Sequence, residues 1–558
     1  MDSWPLARKV WVWRLLTELL LMRGWYNMFK LAKLSLLSLA LAGTPMLAML
    51  VVPVQAEAQA FSALRQAIAE AASTDEHLAA FYRDRDFQPI WTTAEAADRR
   101  NALFAALSEA RNHGLPTQRY DADALRAAFE GATNPYMMGQ ADVQASLLFL
   151  QYAQDVHSGF LDPGDIVGDI VQTLPRLDPV ELFTDFVAAN PYEFMNRLPP
   201  QHPEYTRLMR AKLRLEDLID RGGYGPQVQA GSLAPGATGD TVVQLRNRLM
   251  AMGYLERSAT ATYDARLQQA VVEFQIDNGI TPDGVAGDAT IQALNRSASE
   301  HLSEVILAME RQRWLNVDRG DRHVFVNLPD FHATVVDDGE VTFRTRSVIG
   351  STASDRRTPE FSDVMEHMVI NPSWYVPRSI ARGYIPSILA GGANHLELMS
   401  NGRPVSRSNI NWEAISAGNF PYDLRQPPGP RNALGLVKFM FPNRWNIYLH
   451  DSPDQYLMTH EVRAYSAGCI RLDDPFDLAY HLLAAQEDDP VTFFHTILDS
   501  GRETQVNLDT PIPVHLVYWT AWVDTENRLN FRNDIYGRNA ELRRAIQNLG
   551  VEIRGVNS

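Results

Sequence analysis

Cysteine occurs once in the 558 residues, at Cys469 in the run Tyr465-Ser466-Ala467-Gly468-Cys469-Ile470-Arg471. A lone thiol cannot close an intramolecular disulfide, so it is either small apolar filler or a nucleophile. The attacking form is the thiolate, and only about a few per cent of an unperturbed cysteine is ionised at neutral pH, so a nearby base is required. His450, in Tyr448-Leu449-His450-Asp451-Ser452, lies 19 positions upstream; His460 is nearer in sequence and competes for the role among 14 histidines. Gly468 lets the chain turn so that its N–H and that of Cys469 point at one spot, where the oxyanion of a tetrahedral intermediate would form. Arg471 adds a cation suited to a substrate carboxylate. These parts suit acyl transfer through a thioester.

The elements that must position them have a period of two. Val324–Leu328, Ala333–Val336, Phe343–Gly350 and Val364–Ile370 read as strands, with Asp337-Asp338-Gly339 as a hairpin signal. Leu436–Phe441 and Asn446–His450 continue the sheet, and His450 is expected at a strand end in mid-sheet. Cys469 is expected close to the N-terminus of the helix that runs through Pro475–Leu483, whose partial positive charge would favour the thiolate. Asp451 would face away from its neighbour His450, so a backbone carbonyl is expected to orient the imidazole. Residues 378–430, with Gly391-Gly392 and Pro427-Pro428-Gly429-Pro430, interrupt the strands. An insertion this long is a lid or a decorative loop. No His/Cys/Asp spacing makes a metal-ligand set, and neither metal nor cofactor is expected.

The rest of the chain divides by composition. A net charge of −16 with no basic block argues against nucleic acid as a partner. Residues 34–56 are uncharged and follow Lys30 and Lys33, with Ala56-Glu57-Ala58 as a cleavage option. Residues 1–60 are therefore expected to be a signal peptide or inner-membrane anchor, with Met28 an alternative start. The body is expected in the periplasm, stabilised by its cores rather than by disulfides. Residues 61–225 carry helical periodicity without a catalytic constellation. Residues 222–239 are rich in Gly, Pro, Ser and Ala and read as a linker. A compact three-helix pattern follows within 226–300, then the sheet-rich part over 301–540, then a terminal helix and tail at 541–558. The fold expected is multi-domain α+β.

Two resemblances become specific. Leu245, Leu249, Gly253-Tyr254-Leu255, Val271, Phe274-Gln275, Gly279-Ile280, Asp283-Gly284-Val285-Ala286-Gly287, Thr290 and Leu294-Asn295 resemble the type 1 peptidoglycan-binding domain. That implies a three-helix module docking on cell-wall glycan or stem peptide, or one kept only as a spacer. Asn371–Pro377, Tyr448–Ser452, Ser466–Arg471 and Thr520-Ala521-Trp522 resemble L,D-transpeptidases of the YkuD type, in their large periplasmic multi-domain branch. The resemblance implies a helical scaffold domain, the wall-binding module, and a mainly β catalytic sheet or sandwich with a lid insertion. It implies Cys469 as nucleophile and His450 as general base and acid. Gly468 and Ser466 would serve the oxyanion and the loop, and Arg471, Tyr448 and Trp374 would bind substrate. Many members carry His where this chain has Ala467, which leaves His450 as the base. The implied reaction is attack on the third residue of a tetrapeptide stem, release of D-Ala and a 3→3 cross-link, with carbapenem sensitivity. Water as acceptor would make a carboxypeptidase, and a lipoprotein lysine an anchoring enzyme. A wall cysteine endopeptidase and a non-catalytic wall-binding scaffold are the competing classes; the first usually places Cys before His.

Overall fold

The computed structural model describes residues 48–550 and Arg554, so the expected export segment lies largely outside the described residues. Among these, no helix is long and apolar enough to cross a membrane. The fold is a helical region, a small helical module and a mainly β domain with an inserted subdomain, the multi-domain α+β architecture expected.

Helices from Ala48–Ala72 to Pro203–Asp220 form the first unit. Trp91, Phe149, Phe183 and Phe186 are fully buried at its centre, with Phe149 and Phe186 stacked at 4.4 Å between centroids. The buried Asp142 carboxylate accepts from the N–H groups of Ile90, Trp91 and Thr92 and from the Tyr82 hydroxyl, which satisfies an irregular stretch of backbone inside this core. The module that follows has helices Asp240–Met252, Ala265–Asp277 and Asp288–Leu294 around Val242, Leu245, Leu249, Val271 and Phe274.

One helix ties the units together. Only its second half, near Ile306–Trp314, is evident as a pattern in the sequence. The structure starts it at Ala298, behind a capping box between Ser297 and Glu300. Every residue from His301 onward is buried, and its arginines are paired with carboxylates. Arg313 pairs with Glu310 at 2.6 Å, and Arg311 pairs with Glu360 at 2.7 Å, where Arg538 also converges.

The β domain contains β1 (Arg322–Asn327), β2 (His332–Asp337), β3 (Glu340–Gly350) and β4 (Phe361–Ile370). Next come β5 (Trp374–Val376), β6 (Glu397–Ser400), β7 (Arg403–Val405) and β8 (Asp423–Gln426). Then follow β9 (Val437–Met440), β10 (Leu449–His450), β11 (Ala464–Ser466), β12 (Ile470–Leu472) and β13 (Thr504–Val517), with a final hairpin of β14 (Ala521–Val523) and β15 (Leu529–Phe531). Nine strands make the main sheet in the order β11-β3-β12-β10-β9-β4-β13-β1-β2, and β3 also pairs with β2. One face packs Leu449, Ile470, Phe439 and Met368 against the helix Pro475–Leu483.

The last long strand runs from Thr504 to Val517, with an irregularity between Asn507 and Ile512. Before it stands an unexpected helix, Pro490–Asp499, capped by Asp489.

The insertion is a folded subdomain rather than a loop. Its four strands run β5-β8-β6-β7, with the helix Arg378–Leu389 packed on them. Trp374–Val376 pairs with Asp423–Gln426 in this small sheet. Asn432 holds its exit by donating to the carbonyls of Pro372, Gln426 and Pro427. At its entry, Ser373 donates through N–H and hydroxyl to the Glu503 carboxylate.

Candidate active site

The site is assembled by strand register. β10 pairs parallel to β12, with Leu449 opposite Ile470 and His450 opposite Arg471, and Ile470 N–H donates to Tyr448 C=O at 3.0 Å. β9 runs antiparallel on the other side, with Lys438 opposite His450. Alternation sends Leu449, Ile470 and Phe439 into the core. Tyr448, His450, Lys438, Arg471 and the residue before β12, Cys469, share the opposite face. His450 is thus diagonal to Cys469 across two neighbouring strands, and the His450 and Tyr448 rings meet edge to face at 5.7 Å. His460, the rival base, is instead bonded to the exposed Tyr465 hydroxyl at 2.8 Å.

His450 is 4% exposed, and burial, with Arg471 beside it, pushes its imidazole down to about 3. It is neutral at physiological pH. Its Nδ1 donates to the carbonyl of Asp451, which leaves Nε2 unprotonated and able to accept a proton. A backbone carbonyl therefore fixes the tautomer. The Asp451 carboxylate is turned away to the N–H groups of Leu436 and Ser452.

Cys469 is half-buried, and its Sγ–H donates to Asn446 C=O at 3.3 Å. Burial pushes the thiol up to about 11, against the opposing pull of the Tyr448 backbone and phenol, Arg471 and Lys438. The expected helix terminus is absent here. Cys469 leads into β12, and the helix begins only at Pro475, with three strand residues between. The helix dipole acts within about one turn, so it does not serve this thiol. At rest the pair is neutral thiol and neutral imidazole.

The loop before the cysteine also corrects an expectation. The Gly468 N–H donates to Ser466 Oγ at 3.0 Å, and the Ser466 hydroxyl donates to Cys469 C=O at 2.5 Å. The Gly468 donor is engaged within its own loop and is not free for an oxyanion. The Cys469 N–H, which has no acceptor among the described residues, is the remaining backbone donor. Gly468 sits at φ +126°, and Thr358 Oγ1 donates to its carbonyl at 2.7 Å, so the turn is held from both sides.

The three substrate-binding expectations separate. Arg471 lies on the site face, but its Nη1 pairs with Asp454 at 2.9 Å. Tyr448 packs against both the main core and the core of the insertion. Trp374 is 8% exposed inside the insertion's own core, edge-on to Tyr384 at 6.3 Å. It stabilises the inserted subdomain and presents no open face to a ligand. Lys438 is a site residue that the motifs do not single out. The signal for it is one charge in the otherwise apolar run Leu436–Phe441.

Comparison with known proteins supplies families for these units. Residues 76–211 match the model described as "Scaffold domain", residues 238–294 that of "Putative peptidoglycan binding domain", and residues 321–506 that of "L,D-transpeptidase catalytic domain". A protein of Haemophilus influenzae named "Putative L,D-transpeptidase" is 33% identical over 242 residues, which cover 42% of this chain and 48% of that protein. The match spans about half the length of that relative. Among solved structures, an L,D-transpeptidase from Xylanimonas cellulosilytica is 17% identical, with a TM-score of 0.15, covering 52% of this chain and 98% of that one. One from Stackebrandtia nassauensis is 15% identical, with a TM-score of 0.20 and coverage of 52% and 97%. Scores this low add nothing to the fold derived above. Three successive segments of the chain therefore match, in order, a scaffold domain, a peptidoglycan-binding domain and an L,D-transpeptidase catalytic domain of the YkuD type.

Proposed function

We propose that this protein is an L,D-transpeptidase that works through a Cys469 thioester and forms 3→3 cross-links between peptidoglycan stem peptides. The observation that carries the reading is the single thiol sharing a sheet face with a neutral, tautomer-fixed imidazole, beside a Tyr448 that packs against the folded insertion. Cys469 Sγ attacks the carbonyl carbon of the third stem residue as its proton passes to His450 Nε2. The Cys469 N–H lies where negative charge gathers on the carbonyl oxygen. Collapse of the intermediate breaks the peptide bond, and the D-Ala amine leaves with the proton from His450. An amine of a second stem then attacks the thioester, gives a proton to His450, and frees the thiol. Ser466 holds the loop, and Arg471 and Tyr448 border the substrate. The peptidoglycan-binding module supports a polymeric wall substrate. An exported, periplasmic protein fits that substrate.

The test is incubation of the purified protein with disaccharide tetrapeptide and mass analysis of the products. A cross-linked dimer lacking one D-Ala supports transpeptidation, and a shortened stem alone assigns water as the acceptor. A lysine-bearing lipoprotein peptide added as competitor tests the anchoring alternative. An unchanged product pattern with Cys469→Ser would remove the thioester from the mechanism.

A further inference from the structure

Cys469 needs a positive field to carry a thiolate, and the helix terminus that the sequence suggested does not supply one. The charged and titratable groups around it come from three strands: Lys438 on β9, Tyr448 and His450 on β10, and Arg471 on β12. In the flanking segments, Arg444 is stacked on Trp445 and Arg357 on Tyr536. His450 is neutral, and the Arg471 guanidinium is compensated by Asp454 at 2.9 Å.

Lys438 is different. It stands between Val437 and Phe439, both fully buried, and opposite His450 in a central strand. Its Nζ lies 5.7 Å from the centroid of the Tyr448 ring, the side chain next to the thiol. Among the described residues no carboxylate is within 4.0 Å of it and it makes no hydrogen bond. Glu503 acts on it from further away, with its oxygens already taken by Ser373. Drawing an unpaired ammonium partly out of water costs free energy, and such costs concentrate where the charge has work in a reaction. A lysine serving only solubility would sit at a strand edge.

We propose that Lys438 is the charge-positioning residue of this site: its ammonium, anchored over the face of Tyr448, stabilises the Cys469 thiolate as the proton leaves for His450. Lys438 keeps its own protons throughout, and no bond to it forms or breaks. The idea rests on Cys469 being the nucleophile. Its test reads the thiol itself, so failure of the peptide reaction and failure of this inference are separable.

The experiment is the rate of Cys469 alkylation by iodoacetamide, a neutral probe, on the full chain between pH 7 and 9. It compares the native protein with Lys438→Met and Lys438→Arg, each checked for a cooperative melt. A change of one unit in the thiol's proton affinity changes the thiolate fraction about tenfold below its midpoint. Lys438→Met is expected to react about tenfold more slowly across this range. Lys438→Arg keeps the charge and is expected within about twofold of the native rate. Native-rate alkylation in the Met variant overturns the proposal. So does an Arg variant as slow as the Met variant, because shape rather than charge would then matter. If Lys438→Met loses its cooperative melt, Lys438→Gln replaces it in the comparison. Loss of folding in that variant as well makes Lys438 structural and equally overturns the inference.

Discussion

Ser466 offers the sharpest test of how the nucleophile is held. Its Oγ accepts from Gly468 N–H at 3.0 Å and donates to Cys469 C=O at 2.5 Å, with the side chain 3% exposed. Ser466→Ala removes both partners at once and leaves no room for an ordered replacement by bulk water. Each buried backbone group left unpaired costs about 1–3 kcal/mol, so a rigid loop would lose about 2–6 kcal/mol in all. At about 2–4 °C per kcal/mol for a domain of this size, that is a drop of at least about 4 °C in melting temperature. The loop can escape part of that cost by moving, and a displacement of about 1 Å at a reacting atom costs about 100-fold in rate. The expected outcome is therefore a lower melting temperature, a large loss of acyl-enzyme formation, or a mixture of the two. Scanning calorimetry gives the first and mass detection of the thioester adduct gives the second. Ser466→Thr retains both hydrogen bonds and is expected to keep most of the activity. Native melting temperature together with native acylation in Ser466→Ala would refute the account of the loop.

Two further outcomes follow from buried charge. Glu360 joins Arg311 at 2.7 Å and Arg538 at 3.0 Å where the helical region meets the β domain, and Glu360→Gln leaves two buried guanidinium groups short of a counter-charge. A loss of about 3 kcal/mol is expected in chemical denaturation, with the Cys469 alkylation rate unchanged; equal stability would show that the cluster is not strained by losing its anion. His450 and His515 are buried, and burial holds them down at about 3 and about 4, below their usual value. On acidification below about pH 6.5 the unfolded chain takes up these protons while the folded one refuses them. Stability is expected to fall toward pH 4 by about 1 kcal/mol per pH unit for each histidine. Denaturation midpoints at pH 7, 5.5 and 4 check this, and a flat profile, or one not flattened by His515→Gln, would contradict it.

The chemistry was more legible than its setting. The strands around Val324, Val335 and Phe343 and the hairpin at Asp338-Gly339 appear in the structure close to where alternation places them, because one face is buried and the other is wet. The helix Pro490–Asp499 could have been found, since Asp489-Pro490 is a start signal and Val491, Phe494, Ile497 and Leu498 recur at helical spacing. Trp374 lay within a matching motif, yet its ring is spent inside the inserted subdomain, since a motif records residue identity and not which core a side chain enters.

By itself the amino-acid sequence determined that only one residue could serve as a thiol nucleophile, that His450 and His460 were the histidines in contention as its base, and that a sheet had to carry the first of them. These are matters of residue type and local period, and both are written along the chain. Register was decided by the tertiary structure. The pairing of β9, β10 and β12 put Lys438, His450 and Arg471 in one row and Cys469 beside Tyr448. The same pairing denied Cys469 its helix terminus, and the turn before it committed the Gly468 N–H to Ser466. Such pairings join residues 12 positions apart at Lys438 and His450 and 21 apart at His450 and Arg471, and depend on which strands become neighbours, a choice made by burial of the whole sheet and not by any one segment.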